Sequence, residues 1–155
     1  MGRAPGNRSI LVPLGMNAES ETAFDVACRL AAERGCSLTA IAVVEVPALL
    51  PVDAHMVDEE AAARRLLDRA AAVGDSYGID VRQRLVRARE AATAIVEEAS
   101  ARNTELIVLG TSRKRARPFG RTAEAVLKGA ACRVMLIAPP ANAVQAHSGL
   151  TLSLT

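Results

Sequence analysis

Aromatic side chains are nearly absent from this chain of 155 residues, which has two Phe, one Tyr and no Trp. A core without aromatic rings has to be filled by Ala, Val, Leu and Ile, which favours close packing of helices on a sheet. Proteins that hold single-stranded nucleic acid need exposed aromatic rings on which bases stack. We therefore expect no nucleic-acid partner.

Paired cysteines and long apolar runs are also missing. Cys28, Cys36 and Cys132 form no CxxC pair and are odd in number, so we expect reduced thiols and neither a disulfide framework nor a zinc site. No run of 18 apolar residues is present, and residues 1–9 (MGRAPGNRS) lack the apolar segment of a signal peptide. The sequence predicts a cytoplasmic protein, or a cytoplasmic domain of a membrane protein.

Charge is balanced, with 19 basic and 17 acidic residues and a net charge of +2. Half of the residues are apolar, which is enough for one compact domain at this length. We expect a lead at residues 1–8, one domain at residues 9–140 and a mobile tail at residues 141–155. Only residues 113–121 concentrate basic charge.

Short apolar runs alternate with helical patterns along the whole domain. The predicted strands are residues 9–14, 37–46, 79–86, 105–110 and 132–138, and helices fill the intervals. This βαβαβαβαβ order predicts a doubly wound, Rossmann-like α/β fold with five parallel strands. The third strand alternates polar and apolar residues, as an edge strand does, so we expect the order 3-2-1-4-5. Ligands of such sheets bind at the carboxyl ends of the strands where the winding reverses, here between the first and fourth strands.

The stretch from residue 105 to residue 140 combines a buried strand, a basic loop, a helix and a last strand. Gly110 ends the strand, and the basic loop (residues 111–120) carries Arg113, Lys114, Arg115 and Arg117 before the next helix. Cations beside a helix N-terminus suit an anion. Three interpretations stay open: a solvated loop, a site for a phosphate-bearing ligand, or a contact with acidic lipid or protein.

Catalysis has little support in the sequence. His55 lies in a loop and His147 in the tail, and no Ser or Cys has a recognisable base partner. Three acids, residues 58–60, open a helix, where they complement its dipole more often than they bind a metal. We expect neither an enzyme nor a metal cluster or covalent cofactor.

The segment after the second strand, residues 47–57, is apolar for a loop because it carries Ala48, Leu49 and Leu50. Two explanations are open: the loop folds back on the core, which we favour, or it meets a partner.

Four segments resemble the universal stress protein domain, and together they span residues 9–139: ILVPLGMNAESETAF from Ile10, LTAIAVVEVP from Leu38, ELIVLGTS from Glu105 and FGRTAEAVLKGAACRVMLIAP from Phe119. The resemblance implies the fold of the adenine-nucleotide alpha hydrolase-like proteins. It also implies a non-enzymatic stress-response or regulatory module that binds ATP, AMP or another adenine nucleotide. The alternative is a ligand-free dimeric domain for protein interaction or for regulating a membrane transporter.

The resemblance also implies a site. Nucleotide-binding members carry three spaced glycines, the third followed by Ser or Thr, whose backbone and hydroxyl hold the phosphates; Gly110 matches the first and Gly120 the third. Arg113 and Arg121 stand where the second glycine and the hydroxyl residue are expected, and Gly15 stands where an Asp near the ribose is expected. We therefore expect a degenerate crevice. The predicted nucleotide-binding residues are Pro13, Gly15, Val43, Gly110, Arg113, Gly120, Arg121 and Thr122.

The last predicted strand, residues 132–138 (CRVMLIA), is an apolar edge that carries no charge except Arg133. We expect two copies to pair through it as a homodimer, which dimers of the resembling family often do. The alternative cover is the chain's own tail at residues 150–154.

Overall fold

The computed structural model describes residues 8–113 and 119–140. Residues 1–7, the middle of the basic loop at residues 114–118 and the predicted tail at residues 141–155 lie outside the described residues. The strands are β1 (Ser9–Pro13), β2 (Ser37–Glu45), β3 (Val81–Ala88), β4 (Leu106–Gly110) and β5 (Arg133–Ile137). The helices are α1 (Ala18–Arg34), α2 (Val57–Ser76), α3 (Ala91–Ala101) and α4 (Arg121–Gly129).

The five strands form one parallel sheet in the order β3-β2-β1-β4-β5. This order and the alternation of elements confirm the predicted doubly wound α/β fold. In the central strand β1, Leu11 and Val12 are fully buried, because helices cover both faces of the sheet. Strands β3 and β5 occupy the two edges, as expected, and both are less buried than the strands between them.

Helices α1 and α2 cover one face of the sheet, and α3 and α4 cover the other. Successive strand residues point to opposite faces. Val12 accordingly belongs to the core cluster that contains Phe24 of α1, whereas Leu11 belongs to the cluster that contains Ile95 of α3 and Val126 of α4. Both clusters are mainly aliphatic, as the shortage of aromatic residues predicts.

Several helix ends follow directly from the sequence. The Asn17 side chain caps α1 by accepting a hydrogen bond from the Ser20 backbone N–H at 2.8 Å. Gly35 ends that helix with a φ of 65°, in the left-handed region that favours glycine. Asn103 follows α3 with a φ of 53°, a left-handed conformation that asparagine adopts more readily than most residues.

All three cysteines are free thiols. Cys28 is fully buried, and burial, with a smaller contribution from Asp25, raises the pKa of its thiol to about 11. Cys36 and Cys132 are half-buried, and burial also raises the pKa of Cys132. A raised pKa keeps a thiol protonated and unreactive near neutral pH.

The loop between β2 and α2 departs from our expectation. Leu49 is 97% exposed and Leu50 is 42% exposed, so the prediction that this segment folds back on the core is wrong. The Arg89 guanidinium donates hydrogen bonds to the carbonyls of Val46 and Pro47 and holds the base of the loop beside β3. The residues after Pro47 then run outward, away from the core.

Packing, and not a left-handed backbone, accounts for Gly110. Among the described glycines only Gly35 and Gly78 have a positive φ. A Cβ atom on Gly110 would instead lie 2.3 Å from the carbonyl oxygen of Glu19 and 2.8 Å from the amide nitrogen of Ser20. The first turn of α1 therefore packs directly on the end of β4.

Strand β3 is tied to α3 by a carboxylate that two arginines share. Glu98 accepts hydrogen bonds from Arg84 at 2.8 and 3.2 Å and from Arg102 at 2.7 Å. The bond from Arg84, followed by that from Arg102, holds the pKa of Glu98 below its ordinary value of 4.5, although burial opposes the shift.

We predict that Glu98→Gln lowers the free energy of unfolding by about 1 kcal/mol near neutral pH, a modest value because the Arg84 side chain is 44% exposed. Since the folded-state pKa is lowered, this stability is present above pH 4.5 and is lost as the pH falls through the folded-state pKa. Urea unfolding of both proteins should show a difference near pH 7 that shrinks as the pH is lowered below 4.5. Glu97→Gln, at the neighbouring position, serves as the control. An equal loss of unfolding free energy in both variants would show that the bonds from Arg84 and Arg102 to Glu98 do not stabilise the fold.

We predict that Gly110→Ala destabilises the fold by about 1–3 kcal/mol, because its methyl group meets backbone atoms that cannot rotate away. Gly120→Ala is the matched control at the other end of the basic loop, since among the described residues its Cβ would meet only the Thr111 hydroxyl, at 3.7 Å. Its cost should stay below about 1 kcal/mol, as for a changed helix cap. Equal unfolding free energies for the two variants would show that α1 does not press on β4.

Candidate functional site

A cavity of about 200 Å³, here called the crevice, opens at the carboxyl ends of β1, β2 and β4. It lies where the winding of the sheet reverses between β1 and β4, which is the position that the topology predicts for a ligand. Five of the eight predicted nucleotide-binding residues line it: Pro13, Gly15, Val43, Gly110 and Thr122.

The other three predicted residues are near this cavity in the chain but do not line it. Arg113 and Arg121 are exposed, and Gly120 is the residue at which α4 is capped. The structure therefore brings together two of the three predicted glycines, the strand residues Pro13 and Val43, and Thr122, and it leaves Gly120 and both arginines outside the lining.

Further lining residues were not predicted from the sequence. Asn17 and Ser20 come from the start of α1, and the apolar walls come from Ile41, Ala91, Ile95 and Leu109 among others. The helical period of α3 does predict that Ile95 faces inward. It does not predict that the first turn of α3 closes one side of the crevice, because that depends on how α3 crosses the sheet.

The β1 side of the crevice is fixed by α1. The Gly15 backbone N–H donates to the Ser20 hydroxyl at 2.7 Å, and Ser20 is buried. The same turn of α1 touches Gly110 on the other side. The start of α1 thus holds the ends of β1 and β4 at a set separation, and the crevice lies over that junction.

The β4 side is fixed by Thr111, another residue that sequence reasoning missed. Its buried hydroxyl accepts a hydrogen bond from the Gly120 backbone N–H at 3.0 Å, and its own N–H donates to the Ile137 carbonyl at 2.9 Å. These bonds hold the start of α4 against the ends of β4 and β5. The N-terminus of α4 therefore faces the crevice in a fixed position.

The crevice is apolar inside, and exposed arginines lie close in the chain to its lining residues Gly110 and Thr122. Its walls are aliphatic, with the amide of Asn17, the hydroxyls of Ser20 and Thr122 and the backbone of two glycines as polar groups. Arg113 and Arg121 add exposed positive charge on the α4 side. Such a site can hold a flat apolar ring with hydroxyl groups and place an attached anion near the arginines.

A larger cavity of about 380 Å³ lies between α1 and α2 and shares Leu14, Gly15 and Ser20 with the crevice. Asp25, in its wall, accepts a hydrogen bond from the Tyr77 hydroxyl and pairs with Arg29 at 3.0 Å. The crevice remains the better candidate site, because strand ends, two glycines and a helix N-terminus converge on it.

No group of three His, Cys, Asp or Glu side chains in residues 8–113 and 119–140 is placed to hold a metal ion. None of the helices formed by these residues has the length and apolar character needed to cross a membrane.

Comparison with solved structures finds the same fold in several proteins. A universal stress protein family member from Burkholderia pseudomallei has 28% identity and a TM-score of 0.68, over 84% of this chain and 96% of its own. UspA of Lactobacillus plantarum has 24% identity and a TM-score of 0.72, over 85% and 98%. The Archaeoglobus fulgidus universal stress protein solved in complex with dAMP has 19% identity and a TM-score of 0.68, over 84% and 97%.

Comparison of the sequence with curated proteins finds no match. The model of the universal stress protein family matches residues 6–138, which is nearly the whole predicted domain. The crevice, the sheet order and this match agree with the resemblance carried by the four sequence segments. The chain belongs to the universal stress protein family.

Proposed function

We propose that this protein is a non-enzymatic regulatory module of the stress response that binds an adenine nucleotide in the crevice. The observation that carries the proposal is the convergence of Pro13, Gly15, Val43, Gly110 and Thr122 in one cavity at the carboxyl ends of the strands. The dAMP complex of the similar Archaeoglobus fulgidus protein supports an adenine nucleotide as the ligand class.

The base and the phosphate occupy opposite ends of the crevice in this proposal. Val43 lies on β2 and Gly110 on β4, on either side of β1. Two strand spacings, roughly 10 Å in total, therefore separate them. The base lies near the backbone of Val43 and the apolar side chain of Ile95. The phosphate lies beside Thr122, where the N-terminus of α4 favours negative charge.

In this proposal, arginine side chains replace part of the glycine backbone that holds the phosphates in nucleotide-binding members of the family. With Arg113 in place of a glycine, the chain cannot approach the phosphate as closely, but a guanidinium grips phosphate through two hydrogen bonds. Gly15 supplies no carboxylate for ribose hydroxyls. We therefore expect an affinity that depends more on phosphate charge and less on ribose recognition.

A binding role suits this lining better than catalysis. Among the described residues that line the crevice, none is a His, Cys, Asp, Glu, Lys or Arg that would serve as an acid or base. The Ser20 hydroxyl accepts a hydrogen bond from the Gly15 N–H, which assigns it to holding α1 in place.

Three free thiols support our proposal of a cytoplasmic location, since reducing compartments keep thiols free.

The second candidate function is a ligand-free dimeric domain for protein interaction, including regulation of a membrane transporter. Strand β5 favours it. Within the described residues β5 pairs only with β4, and its residues from Val134 to Ile137 are half-buried and apolar. We propose that two copies pair through residues 132–138; the tail at residues 150–154, the other proposed cover, lies outside the described residues.

We predict that isothermal titration calorimetry detects binding of at least one of ATP, AMP and cyclic AMP, and that replacing both Arg113 and Arg121 by Ala weakens it by about 2–4 kcal/mol. The reason is the loss of two charge-assisted contacts to phosphate, each worth about 1.5–3 kcal/mol and not fully additive. Ligand at 100 times its dissociation constant should add about 2.7 kcal/mol to the stability of the wild-type protein.

The matched control for this pair is the double variant Arg8→Ala and Arg34→Ala. It removes the same charge from exposed positions near the amino ends of the strands, opposite the crevice. It should leave the affinity within about twofold. Absence of binding by all three nucleotides would overturn the nucleotide proposal. Unchanged affinity in the variant that lacks Arg113 and Arg121 would show that these two side chains do not contact the nucleotide.

We predict that the chain is a dimer by light scattering and that Leu136→Lys converts it to a monomer. A lysine on an edge strand opposes pairing between sheets. Because Leu136 also packs against the core cluster of α3 and α4, circular dichroism must first show that the variant is folded. Leu127→Lys, on the exposed side of α4, is the control and should remain dimeric. A monomeric wild-type protein at all concentrations, or a dimeric and folded Leu136→Lys variant, would contradict pairing through β5.

A further inference from the structure

The β2–α2 loop carries an exposed apolar surface that takes no part in the crevice. Seven large apolar side chains are exposed in the described residues, and four of them fall within nine consecutive positions. They are Leu49, Leu50, Val52 and Val57. Large apolar side chains exposed singly are ordinary on protein surfaces, but a cluster of them marks an interaction site.

This loop is held in one conformation by its own backbone. The Leu50 N–H donates to the Pro47 carbonyl at 3.0 Å, and the Ala54 N–H donates to the Pro51 carbonyl at 2.9 Å, so two turns follow each other. Arg89 fixes the base of the loop through the Val46 and Pro47 carbonyls. An ordered loop loses less conformational freedom on binding than a flexible one, and that raises the affinity of whatever it contacts.

The loop itself is acidic, although the Arg89 guanidinium adds one positive charge at its base. Residues 47–60 include four acids, Asp53, Asp58, Glu59 and Glu60, and no Lys or Arg. Glu60 is neutralised by an ion pair with Arg87, but the other three acids are exposed. Asp58 and Glu59 also complement the dipole of α2, and the next cations along the chain, Arg64 and Arg65, lie further along that helix.

This combination selects among classes of partner. An apolar surface bordered by carboxylates attracts cationic groups and is repelled by anionic lipid surfaces. Leu49 projects from the loop with nearly its whole side chain in solvent, so it can contact the apolar side of another element without any rearrangement of this chain. A short segment with an apolar stripe and flanking Lys or Arg residues matches both properties.

We propose that residues 49–59 are a docking surface for a basic amphipathic helix of a partner protein. Leu49, Leu50 and Val52 contact the apolar stripe of the helix, and Asp53 and Glu59 pair with its basic residues. The proposal is independent of nucleotide binding, because none of these residues lines the crevice.

The test uses the full chain and a fluorescein-labelled model helix, in which leucines recur at positions i, i+3, i+4 and i+7 and lysines fill the other positions. Fluorescence anisotropy should show saturable binding that weakens as salt is raised. Replacing Leu49 and Leu50 by Ser should lower the affinity about tenfold or more, as expected for exposed anchors. Asp53→Asn with Glu59→Gln should lower the affinity and flatten its salt dependence.

Two controls distinguish binding at the loop from non-specific binding of the helix elsewhere on the protein. Leu127→Ser removes a leucine of similar exposure, 44% against 42% for Leu50, from α4 and should bind the helix as the wild type does. A model helix with glutamates in place of lysines should not bind. All variants should keep their thermal unfolding midpoint within a few degrees, because every change is on the surface.

Three results would overturn the proposal. The first is equal affinity of the wild type and the Leu49 and Leu50 variant for the basic helix. The second is binding of the wild type to phosphatidylserine vesicles that the same variant loses, which would make the loop a membrane contact. The third is concentration-dependent association of the wild type that this variant abolishes in light scattering, which would make a second copy of the chain the occupant.

Discussion

The contact between the first turn of α1 and the end of β4 is the constraint on which the candidate site depends. The Glu19 carbonyl and the Ser20 amide come so close to Gly110 that no Cβ fits between them. Ser20 at the same time accepts the Gly15 N–H, so one helical turn joins the ends of two neighbouring strands. The crevice is the space over this junction, and its shape follows from how closely α1 approaches.

This contact changes the meaning of the glycine pattern. Read as a sequence, Gly110 is the first glycine of a phosphate-binding loop; in the fold, α1 already requires it whether or not a phosphate is bound. Among the described residues, a Cβ on Gly120 would meet only the Thr111 hydroxyl, at a normal distance. Of the two matched glycines, Gly110 is therefore the one whose identity is explained by packing against α1.

The sequence predicts the sheet well because burial determines strand patterns. Strands covered on both faces are apolar throughout, whereas β3 alternates polar and apolar residues, and these patterns determine the strand order. The order in turn predicts that Gly15 and Gly110 meet at one end of the sheet. This part of the site followed from topology, and the structure places both residues in the crevice.

The parts that were not predicted depend on interactions between distant segments. The outward course of the loop at Leu49 follows from Arg89, some 40 positions later, whose guanidinium holds the Val46 and Pro47 carbonyls. The role of Thr111 depends on a bond to Gly120 across the basic loop. Neither partner is visible as a local pattern, because hydrogen bonds of this kind leave no periodic signal in the sequence.

The surface at the carboxyl ends of the strands differs in charge between its α4 side and its β2–α2 loop side. Arg113 and Arg121 stand beside α4, whereas Asp53, Asp58 and Glu59 stand at the β2–α2 loop, so the edge is basic at one side and acidic at the other. A phosphate is drawn to the first side and a basic segment to the second, because salt ions screen the interaction of exposed charges beyond about 10 Å and each side acts on its own ligand. On the two proposals made above, a nucleotide and a partner helix would occupy the same edge of the sheet without competing. Two connections link the crevice to the base of the loop. Strand β2 carries Val43 in the crevice and leads to Val46, and Arg89, which holds the Val46 and Pro47 carbonyls, lies two residues before Ala91 in the crevice wall.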